Sequence, residues 1–410
     1  MSHAMTDAPQ EEGTRADGKA GNPAAREDHA SDCPADKQSA PTQKLGRSLK
    51  RLWDRAVTLP YRRFVDGVLL RRQWERFYLV FGGHIFFQTL RSAVKLDLFS
   101  LLAKHGRLTR AQIAEHLGIE EQPARILLLG CTAVGFLRKR GLYYSNSRLT
   151  QELLVKGRRG NITSYVELEH QLMYKAMPWM YEAIRENRNV GLKEFKGDEP
   201  TIYQRLAHYP ELQQIFQDAM HELSVHANQA LARFVDFSTV RHVVDVGGGD
   251  GTNLIQLLRE WPHLRGTVFD WPSVCEIARK NIEASGLADR LNTHPGDCFN
   301  DPFPEGVDCL LFAHFLTIWS RERDSQLLRK AYDALPSGGK AIIVNMMQHD
   351  DESGPLSAAV GSPYFLTLAT GEGMLYTWAE YEGWMKKAGF RRVERERLPR
   401  DHGAIVGTKG

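Results

Sequence analysis

Apolar side chains recur at two different periods along the chain, and the change of period divides it. From His84 to Lys104 they return every three or four residues (Ile85, Phe86, Leu90, Val94, Leu98), the stripe of an amphipathic helix. Leu108-Thr109 introduces a second helix, Ala111 to Leu117, which Gly118 closes, and Gln122 to Val134 forms a third. Phe136 to Ser147 reads as a two-stranded wing turning at Arg140-Gly141. Two long helices follow, Tyr165 to Asn187 and Pro210 to Phe234, the second opened by Pro210-Glu211.

From His242 onward, short and nearly continuous apolar runs alternate with helices. His242–Val246, Thr267–Asp270, Cys309–Ala313 and Ala341–Val344 read as strands; Thr252–Glu260, Ser273–Ser285 and Arg321–Leu335 read as helices. Strands without polar alternation, separated by helices, indicate a parallel sheet covered on both faces. The fold class predicted is α/β: a doubly wound, Rossmann-like C-terminal domain behind a helical, winged-helix N-terminal domain. The boundaries expected are 84–160 for the winged helix, 161–237 for connecting helices and 238–410 for the sheet domain.

Ahead of these lie two stretches of different character. Residues 1–45 contain no Phe, Trp or Tyr and cannot bury enough apolar area to offset backbone entropy, so a disordered tail is expected. Residues 46–83 form a basic amphipathic arm, divided at Pro60, in which Arg47, Lys50, Arg51 and Arg55 alternate with Leu49, Leu52 and Trp53. Such an arm fits an anionic membrane surface. It also fits a helix packed on its own or a partner subunit with the arginines solvated, and that reading is favoured over the membrane.

Composition narrows the class. With 410 residues the chain exceeds a single core, and 53 Lys+Arg against 50 Asp+Glu leaves no wholesale polyelectrolyte. A winged helix raises DNA binding, but the third helix runs Ala124-Arg125-Ile126-Leu127-Leu128-Leu129-Gly130-Cys131, which suits burial rather than groove reading. Nucleic acid is therefore not expected as a partner. Cys33, Cys131, Cys275, Cys298 and Cys309 form no CxxC pair, which fits a reducing, cytoplasmic setting without a metal. The longest apolar run, Phe77 to Phe87, is broken by Gly82-Gly83-His84 and is too short to span a bilayer. His349-Asp350-Asp351 resembles a metal cluster but follows a strand in a polar loop, so a solvated turn is expected.

The chemistry gathers at strand ends. Val243-Val244-Asp245-Val246 runs into Gly247-Gly248-Gly249-Asp250-Gly251 and then a helix, so a ligand is able to approach the backbone closely. Phe269-Asp270-Trp271 ends the next strand and sets a carboxylate where ribose hydroxyls would lie. Gly296-Asp297-Cys298-Phe299 follows, with an acceptor, a soft sulfur and a ring suited to adenine. A dinucleotide loop wants a third glycine at position 252, where Thr252 stands, and Asp245 would repel phosphates while accepting from an ammonium.

These motifs, with Ala334-Leu335-Pro336-Ser337-Gly338-Gly339 and Tyr376-Thr377-Trp378-Ala379-Glu380-Tyr381, resemble the S-adenosylmethionine-dependent methyltransferases of the caffeate/acetylserotonin O-methyltransferase type. The chain is also similar to a bacteriochlorophyll C-methyltransferase and to natural-product tailoring enzymes. The resemblance covers about residues 80–410 and implies a methyltransferase fold, S-adenosyl-L-methionine as cofactor, a small hydrophobic methyl acceptor and an intertwined homodimer. Carried over by motif, Gly247 and Gly249 border the methionine part, Asp270 the ribose, Asp297 and Cys298 the adenine, and Ser224 the cofactor carboxylate.

The resemblance breaks at proton handling. Its plant members use a His base with acidic partners; here the equivalent positions are Thr317, Asn345 and Leu375. Alignment alone supplies about 7–11 kcal/mol of a methyl-transfer barrier, whereas a general base adds about 10²–10⁴-fold, so the loss is survivable. His314, at a strand end, and His170, sharing a helical face with Glu167 and Tyr174, are the candidate substitutes, beside Thr317 itself. O-methylation is favoured by family frequency, C- or N-methylation by the missing base. A non-methylating enzyme of the same fold and a ligand-sensing DNA-binding regulator are the alternatives.

Overall fold

The computed structural model describes residues 48–59, 61, 67 and 70–410, without the side chains of 224–228. The expected disorder of 1–45 and the division at Pro60 lie outside the described residues. The chain divides into two units between Phe77 and Tyr78. In the first, the described backbone around the π turn Asp54–Thr58 is helical.

The second unit opens with the winged helix, following a helix α1 (Arg71–Phe81). Helices α2 (Gly83–Lys95) and α3 (Leu98–His105) replace the single helix expected there, because Asp97 takes a left-handed φ of 58° and bends the chain between them. Strand β1 (Leu108–Thr109) leads into α4 (Arg110–Leu117), whose Thr109 and Gln112 form a reciprocal capping box. Helix α5 (Glu121–Ala133) buries Ala124, Leu127, Leu128 and Cys131, whereas Ile126 and Leu129 of the same apolar run are exposed, so the burial expected of the whole run holds for one face. The wing strands β2 (Leu137–Arg140) and β3 (Tyr143–Asn146) pair antiparallel and take in β1, so the module carries a small three-stranded sheet.

The expected helix Tyr165–Asn187 is not continuous. It splits into α6 (Thr163–Leu168), a π turn Glu169–Met173, a short turn Tyr174–Ala176 and a 3₁₀ turn Met177–Trp179 before α7 (Met180–Glu186). Pro178 lacks the N–H that a continuous helix would use, and the chain tightens around it. Helix α8 (Pro210–Phe234) runs unbroken over 25 residues. Glu222 on α8 caps α6: its carboxylate accepts from the Ser164 N–H at 2.9 Å, the Tyr165 N–H at 3.2 Å and the Ser164 hydroxyl at 2.8 Å.

The sheet domain comprises β4 (His242–Val246), α9 (Thr252–Glu260), β5 (Arg265–Asp270), α10 (Pro272–Ser285), β6 (Leu291–Pro295), β7 (Cys309–Ala313), α11 (Arg321–Ala334), β8 (Lys340–Met346), α12 (Leu356–Tyr364), α13 (Trp378–Ala388), β9 (Arg392–Arg397) and β10 (His402–Thr408). The strand order is β6-β5-β4-β7-β8-β10-β9, with β10 antiparallel to both its neighbours and the remaining pairs parallel. One apolar layer, including Leu254, Leu258, Ala278 and Ile282, packs α9 and α10 on one face of the sheet. A second, including Leu327, Leu328, Tyr381 and Met385, packs α11 and α13 on the other. The order reverses between β4 and β7, so a crevice opens at their carboxyl ends.

Candidate active site

The first wall of the crevice is the turn after β4. Gly247 has φ +70°, and a Cβ there would sit 2.2 Å from the Phe315 ring, so only glycine lets the backbone pass. Its N–H donates to the Phe269 carbonyl at 2.8 Å, stitching the turn to β5. Gly249 has φ +58° with open space where a side chain would project. The bare backbone of that turn faces the crevice.

Asp270, at the end of β5, holds this turn in place. One carboxylate oxygen accepts from the Gly249 N–H at 3.0 Å and the other from the Trp271 N–H at 2.7 Å. Burial raises its pKa, and these backbone donors oppose the rise. Each oxygen keeps a lone pair for a further donor.

Asp245 is fully buried one residue before the end of β4. Asn253 donates to one of its oxygens at 3.0 Å, while the other has no partner. Burial pushes the carboxyl up to about 8, with Asn253 opposing and Asp270 and Asp250 adding to the rise. An orphaned buried oxygen beside a bare backbone turn is a place prepared for a cationic donor.

The second carboxylate of the turn reaches the helical layer. Burial favours the neutral form of Asp250, but the His221 imidazole and the Thr252 donors hold it low. His221 lies 3.5 Å from Asp250 and 3.1 Å from the Thr252 hydroxyl, and Asp250 raises its pKa. Sequence reasoning passed over His221. Three residues on in α8, Ser224 belongs to the segment whose side chains lie outside the described residues.

After β6, Asp297 closes a tight turn by accepting from the Phe299 N–H at 3.0 Å and the Asn300 amide at 2.6 Å. Cys298 is buried, its thiol pushed up to about 12 by that burial, so it stays a neutral, polarizable surface. The Arg323 guanidinium stacks 4.3 Å from both the Phe299 and Trp319 rings beside it.

The turn after β7 brings His314 and Thr317 to the same edge. His314 takes a left-handed φ of 55°, and its N–H donates to the Val344 carbonyl at 2.7 Å. Its ring meets that of His402 edge to face at 5.2 Å. Burial, and then the neighbouring His402, lower the His314 pKa to about 3, which leaves a neutral imidazole of low proton affinity. His402 stands at the head of β10 and had no signal in the local sequence. Beside it, a cavity of about 520 Å³ opens between α8 and the sheet edge, lined by Glu222, Leu223, Met346, Ser357 and His402.

The Thr317 hydroxyl is buried and donates to the His314 carbonyl at 3.4 Å. Asn345 is buried and donates to the Tyr381 hydroxyl at 3.1 Å, and Leu375 is buried. No group that titrates near neutrality stands at any of these positions.

His170 faces α2. Its Nδ1 accepts from the Gln88 amide at 3.1 Å, its ring lies 5.9 Å from that of Tyr174, and the Tyr174 ring stacks on Phe87 at 5.6 Å. Burial, then the charge of Arg91, lower its pKa. Arg91 grips Glu167 with two bonds of 3.1 and 3.0 Å alongside it. In the loop after β8, Asp350 pairs with Arg395 at 2.6 Å and Asp351 closes a turn on Ser353. Among the described residues no group of His, Cys, Asp or Glu is placed to hold a metal ion.

The crevice therefore presents Asp245, Asp250, Asp270 and Asp297 around an open glycine turn. Such a lining fits a ligand with a cationic amino-acid end, ribose hydroxyls and an adenine amine, and would repel a pyrophosphate. That is the donor set of S-adenosylmethionine.

Comparison with known proteins agrees. The model of the O-methyltransferase domain matches residues 179–391, and that of the O-methyltransferase dimerisation domain residues 78–156. The L-tyrosine C(3)-methyltransferase of Streptomyces lavendulae is 38% identical over 336 residues, covering 81% of this chain and 92% of that one. The S-adenosylmethionine-dependent methyltransferase SibL, solved in its apo form, superposes with a TM-score of 0.73 at 38% identity over 81% of this chain and 98% of its own. Human N-acetylserotonin methyltransferase in complex with S-adenosylmethionine gives 0.72 at 25% identity over 82% and 98%. With a winged-helix dimerisation module, a seven-stranded sheet and an acidic crevice at its switch point, the chain belongs to the S-adenosylmethionine-dependent O-methyltransferase family.

Proposed function

We propose that the protein methylates a ring carbon of a phenol-bearing small molecule in specialised metabolism, working as a homodimer. The observation that carries this reading is the joint replacement of the proton-handling positions by Thr317, Asn345 and Leu375. O-methylation gains most from a base beside the oxygen that meets the methyl group. C-methylation presents a ring carbon there and sets the hydroxyl one bond farther away, so its base belongs elsewhere in the pocket. The 38% identity to an enzyme named for methylating a tyrosine ring carbon supports the same choice.

In this reading, Asp245 accepts from the cofactor ammonium, Gly247 and Gly249 border its methionine part, and Asp270 takes the ribose hydroxyls. Asp297 and Cys298 flank the adenine, and Ser224 lies toward the carboxylate. Bound S-adenosylmethionine supplies an activated methyl group. The protein's share is to align the acceptor, exclude water and carry away a proton. The neutral His314–His402 pair forms a wall of the pocket rather than its base. The basic arm packs on protein, and the chain works in the cytoplasm without nucleic acid; no helix among the described residues is long and apolar enough to cross a membrane.

The test is product analysis. The purified chain is incubated with methyl-labelled S-adenosylmethionine, L-tyrosine and 3-hydroxy-1-naphthoate, and the products are read by NMR. A methyl carbon bonded to the ring supports the reading. An O-methyl ether as the product sinks the choice of carbon, and no labelled phenol sinks the acceptor class.

A further inference from the structure

The crevice is one-sided in charge. Asp245, Asp250, Asp270 and Asp297 suit the ammonium, the ribose hydroxyls and the adenine amine of the cofactor, but its carboxylate is a group they would repel. Among the described residues, no Lys or Arg side chain makes an ion pair or a hydrogen bond to the turn 247–252. The side chain able to carry positive charge that does reach it is His221.

His221 lies midway along α8, whose later turns pack on the sheet. Its Nδ1 stands 3.1 Å from the Thr252 hydroxyl oxygen and 3.5 Å from an Asp250 carboxylate oxygen. The neighbours decide the tautomer. The Thr252 hydroxyl gives its one proton to that same Asp250 oxygen at 2.8 Å, so toward His221 it acts as an acceptor. Nδ1 therefore carries a proton and donates to Thr252, in the neutral ring and in the charged ring alike. Nε2 is the atom left over. It has no hydrogen bond among the described residues, and the side chain is 54% exposed.

Asp250 is itself held fast. Its other carboxylate oxygen accepts from the Thr252 N–H at 3.0 Å, and its backbone carbonyl accepts from the Asn281 amide at 3.0 Å. A fixed aspartate beside an imidazole favours the imidazolium. The bond to Asp250 raises the His221 pKa, burial opposes, and the charges of Asp250, then Asp218 and Glu222 on α8, add to the rise. Those three carboxylates are the charged groups facing the ring. Thr252 is also the first residue of α9, so the imidazole stands at a helix N-terminus, which favours an anion in its own right. Ser224, read as lying toward the cofactor carboxylate, follows three residues later on α8.

We propose that His221 is the counter-charge of the cofactor carboxylate: fastened through Nδ1 to Thr252 and Asp250, the ring donates from Nε2 to the carboxylate of S-adenosylmethionine. This rests on the reading that the glycine turn borders the methionine part. It makes α8 a wall of the cofactor site and gives the acidic crevice the cation that a zwitterionic end requires. It also sets a specificity. A sulfonium nucleoside that keeps the amine but lacks the carboxylate leaves the imidazolium unmet and binds more weakly.

The experiment measures binding rather than turnover. The intact chain and His221→Gln are titrated calorimetrically with S-adenosylmethionine and with decarboxylated S-adenosylmethionine, below the ordinary imidazole pKa of ~6.5. Both ligands carry the ammonium, so the protonation of Asp245 is common to them and drops out of their ratio. Wild type is expected to prefer S-adenosylmethionine by about 10–100-fold, the span of a hydrogen bond to a charged group. His221→Gln keeps a donor for Thr252 but carries no charge. Its preference should fall below about threefold, while its affinity for the decarboxylated ligand stays within about threefold of wild type. A wild type that binds the two ligands alike overturns the proposal, as does a preference that survives in His221→Gln. An equal loss for both ligands in that variant shows a structural role alone and overturns it too. Asp270→Ala separates this from the reading beneath it. If that variant weakens both ligands while His221→Gln leaves the preference unmoved, His221 alone falls; if it weakens neither, the turn is not the cofactor's place and both fall.

Discussion

The Gly249 N–H donates to the Asp270 carboxylate across 3.0 Å, so the residue expected to meet ribose also fixes the turn expected to meet methionine. A cofactor arriving in the crevice therefore finds both walls already tied together. Preorganisation of this kind lowers the ordering cost of binding.

Asp270→Ala removes the proposed ribose acceptor and releases the turn together. S-adenosylmethionine affinity should fall at least 100-fold by titration calorimetry, and Asp270→Asn should retain part of it through the remaining carbonyl oxygen. Unchanged affinity in the alanine variant would contradict this placement.

Cofactor affinity should depend on pH through Asp245. Its folded pKa of about 8 means that much of the group is protonated at neutrality, whereas an ammonium is best met by the ionised form. Affinity should rise between pH 6 and about 7.5, with proton release on binding, and level off as the α-amine, with a pKa near ~8, loses its charge. Asp245→Asn should flatten that slope. A slope of the same size in the variant would place the titrating group elsewhere.

Thr317 should be expendable to the chemistry. Its hydroxyl donates to the His314 carbonyl and is no base, so Thr317→Ala should keep kcat within about tenfold of wild type. The steady-state assay decides this directly: collapse of kcat with intact cofactor affinity would show that the hydroxyl takes part.

Stability should also carry a pH signature, from a residue outside the site. Asp324, in the first turn of α11, is fully buried, neither carboxyl oxygen has a partner, and burial pushes its pKa to about 9. The unfolded chain titrates this group near ~3.9, so between there and pH 9 the folded state binds the extra proton. Its stabilising contribution is thus fully present below the unfolded pKa and is lost as pH rises through the folded one. Asp324→Asn cannot ionise and should melt roughly 2–6 °C above wild type at pH 8, with the gap closing toward pH 4.5. Thermal melts at the two pH values test this; an equal gap at both would show that ionisation is not the cause.

Much of the molecule was legible in the residues alone. Asp245, Gly247, Gly249, Asp270, Asp297 and His314 sit at ends of strands, and a strand end is a local feature that apolar runs and glycine turns reveal. The third helix of the winged module was expected to be buried, and only one face of it is: Ala124, Leu127, Leu128 and Cys131 are covered while Ile126 and Leu129 stay exposed. The sequence also showed the missing base, since Thr317, Asn345 and Leu375 are identities rather than geometries.

Only the tertiary structure decided which groups meet. His402 reaches His314 because β10 returns antiparallel beside β8, and no local pattern encodes that pairing. The edge strand β9, with its run of Arg and Glu, carries too little apolar signal to be read as a strand, yet backbone pairing to β10 holds it. The helix expected from Tyr165 to Asn187 breaks at Pro178 and loosens into a π turn at Glu169–Met173. Periodicity predicted one helix there; the missing N–H of Pro178 and the packing of the run against α8 divided it.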